Sequence, residues 1–193
     1  TIGRRQRQMC IRDSRYDFMS FMEESPELLE TPNLDRIAKE GAHLANAFVT
    51  TSLCSPSRAS ILTGQYMRNH RVVDNQRPVP EGTMFFPEYL QEAGYQTGYV
   101  GKWHMGHEDE TPRKGFDHWV SFAGQGTYFD PTFNINGKRK SFKGYNADLL
   151  TDQAISWLNQ VSNKKKKPFF LQIGYKAVHY PFQPPPRHAE RYS

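Results

Sequence analysis

The chain has 193 residues, enough to bury one sizeable core but short for two full domains. Hydrophobic residues make up 37% and charged residues 23%, which excludes a disordered chain, and no apolar run approaches the roughly 18 residues of a membrane span. The formal net charge falls from +5 to +2 without residues 1–14, which hold four arginines and one aspartate, so the composition predicts no nucleic-acid partner.

Residues 1–14 differ from the rest because they show neither helical nor strand periodicity. We interpret them as a non-native leader, and residues 15–193 as a single domain that is truncated at both ends. Cysteine is rare. With only Cys10 and Cys54 present, a disulfide framework is excluded, and Cys54 is either a special thiol or a buried small hydrophobe.

The first predicted elements lie within residues 31–64. A helix is expected over residues 31–41, because Thr31 and the proline after it are typical of a helix start and Gly41 of a helix end. Residues 42–50 are rich in apolar side chains and predict a strand. A second helix is expected to begin near the Ser-Pro pair at 55–56 and to end at Gly64.

The remaining elements continue this alternation of helix and strand. Helices are expected over residues 86–93 and 147–160, and strands over residues 95–101 and 168–174, the last as a buried parallel strand. Between them, residues 124–145 contain Gly and Asn turns that indicate a long insertion or a hairpin. The pattern predicts an α/β fold with a mainly parallel sheet.

Cys54 lies at the predicted start of the second helix, in the sequence Cys-Ser-Pro-Ser-Arg. Pro56 favours the first helical turn, and Ser55 is expected to cap it. At that end of a helix an anion is stabilised, and Arg58, one turn later, could reach the same anion with two donors. An incidental cysteine at a surface helix start fits the spacing about equally well.

Two further groups of polar residues follow predicted strands. Lys102 and His104 come directly after the strand at 95–101, where they offer a fixed cation and a titratable group. His179 follows the strand at 168–174 in the same way. Each group alone fits a polar strand end or a structural histidine. Together with Cys54 and Arg58 they make three such groups at the ends of predicted strands, and three groups indicate a pocket for a tetrahedral dianion.

Several segments resemble the formylglycine-dependent sulfatases of the alkaline-phosphatase-like superfamily. Residues 54–64, Cys-Ser-Pro-Ser-Arg-Ala-Ser-Ile-Leu-Thr-Gly, resemble the first sulfatase signature, and residues 94–104, which end in Gly-Lys-Trp-His, resemble the second. Residues 31–36 and 175–182 also fit the family. The resemblance extends over residues 15–193 and implies an alkaline-phosphatase-like α/β/α sandwich that hydrolyses sulfate esters.

The resemblance also implies a role for each site residue. Cys54 would be oxidised to formylglycine by a formylglycine-generating enzyme, and its hydrate would be the nucleophile. Arg58 would steady this group near a calcium ion, and Lys102 would hold the sulfate. His104 would bind the hydrate and take its proton, and His179 would help to protonate the leaving oxygen.

The calcium site implied by the resemblance is incomplete in this sequence. The family places an aspartate pair in its first strand, just before the equivalent of residues 15–17, and this chain has Arg-Asp-Ser there. Cys54, as formylglycine, is therefore the one metal ligand expected from this chain. The other ligands are expected outside it, so residues 1–193 alone are expected to be inactive.

The expected activity is hydrolysis of a sulfate ester, preferably on a carbohydrate, because residues 124–131 and 176–179 resemble carbohydrate sulfatases such as N-acetylglucosamine-6-sulfatase. A phosphonate or phosphate monoesterase on the same fold is an alternative, and a non-catalytic protein that binds sulfated glycans is another. The family resemblance also implies a periplasmic, secreted or lysosomal enzyme.

Overall fold

The computed structural model describes residues 17–162 and 167–190, so the leader predicted at residues 1–14 lies outside the described residues. The chain divides into two compact units, one ending at Phe48 and the other beginning at Val49. No helix of the described part has the length and apolar character needed to cross a membrane.

The first unit contains helix α1, Pro32–Glu40, as predicted. Its start is held by hydrogen bonds among three polar side chains: the Ser20 and Thr31 hydroxyls both donate to the Asp35 carboxylate at 2.8 Å. The strand predicted over residues 42–50 is wrong. That segment is irregular and exposed, with Phe48 87% exposed. Apolar composition alone favours a strand, but a strand also needs a neighbour to pair with.

The second unit contains the sheet and four helices. The strands are β1 (Gln96–Lys102), β2 (His118–Phe122), β3 (Thr132–Ile135), β4 (Lys138–Ser141) and β5 (Phe169–Gly174). The helices are α2 (Cys54–Thr63), α3 (Met67–His70), α4 (Phe86–Glu92) and α5 (Asn146–Ser162), and a short 3-10 turn follows at Pro186–His188.

The five strands form one sheet in the order β4-β3-β2-β1-β5. The neighbours of β1 on both sides, β2 and β5, run parallel to it, whereas β3 and β4 form an antiparallel hairpin next to β2. The predicted α/β class, the hairpin, the three helices within 55–160 and strands β1 and β5 are confirmed. Strand β2 was not predicted. The prediction that β5 is buried is wrong, because β5 lies at one end of the sheet and its Ile173 is 38% exposed.

Successive residues of β1 enter two different cores, because side chains alternate across a strand. Tyr99 belongs to an aromatic cluster with Trp103 and Trp119, packed against residues of α2 and the start of α4. Val100 packs on the opposite face, in a cluster that includes Leu150 of α5. Burying one such large side chain contributes about 1.5–3 kcal/mol. The end of β1 is thus fixed on both faces.

Candidate active site

The candidate site lies at the sheet edge where parallel strands β1, β2 and β5 end. Lys102 is the last residue of β1, and Gly101 is paired with Gly174, the last residue of β5. His104 therefore follows β1 at the same edge at which His179 follows β5. In open α/β sheets, ligands bind at the carboxyl ends of the strands.

A close backbone approach joins the ends of β1 and β5. Gly101 has a φ of 129°, and a Cβ placed on it would lie 2.0 Å from the carbonyl oxygen of Gly174. Real Cβ atoms do not come so near, so this position accepts only glycine. The glycine before Lys102 therefore allows the lysine to lie directly beside the end of β5.

Two side chains of α2 attach the start of that helix to the end of β1. The Ser55 hydroxyl donates to the backbone carbonyl of His104, and Arg58 Nη1 donates to that of Lys102. The Tyr99 hydroxyl also donates to the Lys102 carbonyl, so both lone pairs of that oxygen accept hydrogen bonds. These buried bonds fix Cys54, the first residue of α2, beside Lys102.

The prediction that Ser55 caps the helix is wrong. The N-cap is Leu53, which makes no side-chain cap, and the Ser55 hydroxyl is bonded to His104 instead. The backbone N–H of Ser55 donates to Asn75 Oδ1 at 3.0 Å, so Asn75 satisfies one donor of the first turn. Asn75 was not singled out from the sequence, because it lies 20 residues further along the chain.

Cys54 is a free, partly exposed cysteine. Its Sγ lies 4.0 Å from Lys102 Nζ. The helix start and the ammonium both stabilise a negative charge placed beside residue 54.

Gln125 connects the two polar residues that follow β1. Its Oε1 accepts a hydrogen bond from Lys102 Nζ, and its Nε2 lies 3.2 Å from His104 Nε2. The sequence of residues 124–131 predicted only a likeness to carbohydrate sulfatases, and it predicted no role in the site for Gln125. The available signal was a polar residue between two glycines, which is typical of a turn.

His104 is held in a strained position between two buried neighbours. Its φ is 51°, in the left-handed region, and the flanking Trp103 and Met105 are almost fully buried. Burial lowers the pKa of His104 to about 4, with further lowering from the charges of Lys102 and Arg58 and of the other nearby histidines. His104 is therefore neutral at pH 7. Its Nδ1 is buried and has no hydrogen-bond partner within the described ranges.

His179 is half-buried on the segment after β5. Tyr128 donates its hydroxyl to the His179 carbonyl at 2.6 Å, and His179 Nδ1 donates to the carbonyl of Tyr180 at 2.7 Å. Because a carbonyl only accepts, Nδ1 carries a proton. The charge of His179 also contributes to the lowered pKa of His104. Buried Lys176, with Nζ 4.7 Å from the Tyr128 ring centroid, adds another cation to this segment.

Direct contacts join Cys54 and Arg58 to Lys102, and Gln125 and Ser55 link His104 to these residues. His179 follows β5 at the same edge of the sheet, without a direct contact to them among the hydrogen bonds of the described residues. The bond of Arg58 runs to the β1 backbone rather than to Cys54. Arg58 and Lys102 are at least 97% buried. Buried Arg and Lys side chains are rare in proteins, and a cluster of them suits an anionic ligand.

The described residues do not form a calcium site. Residues 17–162 and 167–190 contain no cluster of three or more His, Cys, Asp or Glu side chains able to hold a metal ion. Calcium takes six to eight oxygen ligands, whereas Cys54 here faces the ammonium of Lys102, which in turn contacts the amide oxygen of Gln125.

Comparisons with known proteins agree on one family. The family model described as sulfatase matches residues 12–193. An N-acetylglucosamine-6-O-sulfatase of Bacteroides thetaiotaomicron is 43% identical over 164 residues, which cover 83% of this chain and 28% of that protein. The N-acetylglucosamine-6-sulfatase of Homo sapiens is 33% identical over 177 residues, covering 81% of this chain and 32% of that protein.

A solved structure shares the fold of this chain. It is described as a complex with its substrate D-glucosamine-2-N,6-O-disulfate, is 41% identical, and superposes with a TM-score of 0.77 over 84% of this chain and 32% of that one. The chain therefore spans about a third or less of the length of these relatives.

Proposed function

Because the chain belongs to the sulfatase family, we propose that the protein of which it is part hydrolyses sulfate esters of carbohydrates. The observation that carries the proposal is the contact between Cys54 at the start of α2 and the buried Lys102 at the end of β1. This contact places a modifiable residue beside a fixed cation, as displacement on an anionic ester requires.

The proposed nucleophile derives from Cys54, after a formylglycine-generating enzyme has oxidised it. The partial exposure of Cys54, its place at a helix start and the nearby ammonium all fit such a group. A hydrated formylglycine supplies one hydroxyl that attacks sulfur and a second whose proton loss releases sulfate.

The other residues bind charge and move protons. Lys102 holds the negatively charged sulfate oxygens, and Arg58 fixes the backbone that carries Lys102. His104 is neutral at pH 7, so it is able to accept a proton from the hydrate. His179, with Nδ1 bonded to the Tyr180 carbonyl, is assigned to the leaving oxygen, which its other nitrogen would protonate.

Calcium is part of the family's chemistry, but the described residues do not fit a calcium site. We propose that the acidic ligands of calcium lie outside the described residues and that formylglycine at position 54 is its remaining ligand.

The proposed substrate class is a 6-O-sulfated N-acetylglucosamine or glucosamine unit. Two relatives are named for 6-sulfate removal from N-acetylglucosamine, and the similar solved structure is described with a 6-O-sulfated glucosamine as its substrate. Residues 124–131, whose Gln125 lies in the site, belong to the segment that resembles carbohydrate sulfatases.

The test is a substrate comparison with the full-length protein, produced together with a formylglycine-generating enzyme. We expect release of sulfate from N-acetylglucosamine-6-sulfate and little release of phosphate from N-acetylglucosamine-6-phosphate, with Cys54→Ala as the inactive control. Preferred turnover of the phosphate would favour a phosphomonoesterase. Tight binding of the sulfated sugar with no turnover would favour a glycan-binding protein instead.

A further inference from the structure

Gln125 lies in a turn whose backbone conformation depends on the two glycines beside it. Gly124 and Gly126 have φ values of 53° and 65°. A Cβ on Gly126 would lie 2.4 Å from the Phe122 ring, and one on Gly124 would lie 2.7 Å from Glu108 Oε1. The Gly126 N–H donates to the Ala123 carbonyl at 3.0 Å and closes the turn. Three residues after the end of β2, this turn holds the Gln125 side chain at the strand ends.

The partners of Gln125 determine which way its amide group faces. Lys102 Nζ can only donate, so the atom that faces it must be the acceptor Oε1. The amide nitrogen then faces His104 Nε2 at 3.2 Å and donates to it. An imidazole nitrogen that accepts a hydrogen bond carries no proton. The proton of neutral His104 must then be on Nδ1.

We infer that Gln125 is a positioning residue of the proposed sulfatase site, which links Lys102 to His104 and selects the His104 tautomer protonated on Nδ1. The buried Nδ1 of His104, which has no partner among the described residues, then carries the proton, and Nε2, which faces Gln125, is left as the basic nitrogen. When His104 accepts a proton during the reaction, the proton goes to Nε2, and the Gln125 amide must rotate or release that bond.

The same linkage fixes the position of Lys102. Its ammonium lies between Gln125 Oε1 and Cys54 Sγ, so the amide oxygen holds the cation beside the residue that is proposed to carry the nucleophile. One side chain thereby sets both the place of the fixed cation and which nitrogen of His104 carries the proton. Loss of Gln125 is expected to affect catalysis more strongly than binding, since neither bond reaches the sugar.

The decisive variant is Gln125→Glu, which keeps the size of the side chain but replaces the amide donor with a second acceptor. The carboxylate can still bind Lys102. Toward His104 it can act only as a hydrogen-bond acceptor, so His104 must carry a proton on Nε2 instead of Nδ1 to keep this bond. Gln125→Leu removes both bonds. Gln160→Glu, on the exposed side of α5, is the matched control.

The experiment uses the full-length protein with 15N-labelled histidine, and the His104 signal is assigned from its loss in His104→Asn. We expect Nδ1 to be protonated in the wild type and Nε2 in Gln125→Glu. For N-acetylglucosamine-6-sulfate, kcat should fall more than tenfold in Gln125→Glu and Gln125→Leu, with KM changed less than threefold and the control unaffected.

Two results would overturn the assignment: a wild-type His104 protonated on Nε2, or a Gln125→Glu variant with unchanged tautomer and unchanged kcat. The inference rests on the proposed function only for its kinetic part. If the wild type released no sulfate, the proposed function would fail, whereas the nitrogen spectra would still decide the role of Gln125. If Gln125→Leu did not fold, the isosteric Gln125→Glu would still give the test.

Discussion

Replacing Gly101 with alanine tests the geometry that places Lys102 in the site. The added Cβ would lie 2.0 Å from the Gly174 carbonyl oxygen, so β1 and β5 would have to separate by about 1.4 Å to reach an ordinary contact of about 3.4 Å. The φ of 129° adds backbone strain of about 1–3 kcal/mol for a non-glycine residue. With about 1–3 kcal/mol for the forced displacement, we expect a loss of about 2–6 kcal/mol in the free energy of unfolding.

Gly137→Ala is the matched control for this change. Gly137 lies in the β3–β4 turn, also has a positive φ, of 91°, and has open space where its Cβ would be. It measures the backbone term alone, about 1–3 kcal/mol.

Thermal unfolding of both variants in the full-length protein, followed by dye fluorescence, gives the comparison. We expect Gly101→Ala to lower Tm at least twice as far as Gly137→Ala, or to give no folded protein. Equal Tm values for the two variants would show that β1 and β5 do not meet at Gly101 as described.

Three further predictions concern the site. In the full-length protein, Lys102→Ala and His179→Ala should each cost about 3 kcal/mol of transition-state stabilisation, a loss of roughly 100-fold in kcat/KM. The controls are Lys138→Ala and His188→Ala, which change exposed residues. If a site variant turned over substrate as fast as its control, the mutated residue would not belong to the site. Because the pKa of His104 is lowered to about 4, its neutral form contributes stability that is complete above pH 6.5 and is lost as pH falls towards 4. The free energy of unfolding in urea should therefore fall between pH 7 and pH 5, and we expect His104→Gln to make this fall smaller by about 1 kcal/mol after solvent screening. An unchanged pH dependence in His104→Gln would contradict the assignment. Residues 1–193 alone should release no sulfate, and calcium should raise their Tm little, since the described residues form no calcium site; sulfate release by this chain or a large calcium-dependent rise in Tm would refute that expectation.

Local sequence patterns predicted much of the second unit because its elements carry their own start and end signals. The helix at residues 54–63 has proline in its first turn and ends at Gly64, which adopts the left-handed conformation that glycine favours. Strand β2 was missed because the five residues of His118–Phe122 carry no boundary signal, and their burial depends on pairing with β1. The segment 42–50 has strand-like composition, but a pairing partner is a tertiary property that composition does not contain.

The candidate site shows the same limit. The common location of Lys102, His104 and His179 could be predicted because parallel strands end at one edge of the sheet. The bonds of Ser55 to His104 and of Gln125 to Lys102 and His104 could not be predicted, because they join residues 21 to 49 positions apart. Such contacts depend on how the turns present each side chain.

The proposal that residue 54 becomes the sulfatase nucleophile is tested most directly by measuring its modification and the turnover together. The full-length protein would be produced with graded amounts of a formylglycine-generating enzyme, its residue 54 peptide analysed by mass spectrometry, and sulfate release from N-acetylglucosamine-6-sulfate measured on the same samples. We expect kcat per protein molecule to rise in proportion to the fraction of Cys54 converted and to vanish in Cys54→Ala. Turnover that does not depend on conversion, or full conversion without sulfate release, would contradict it.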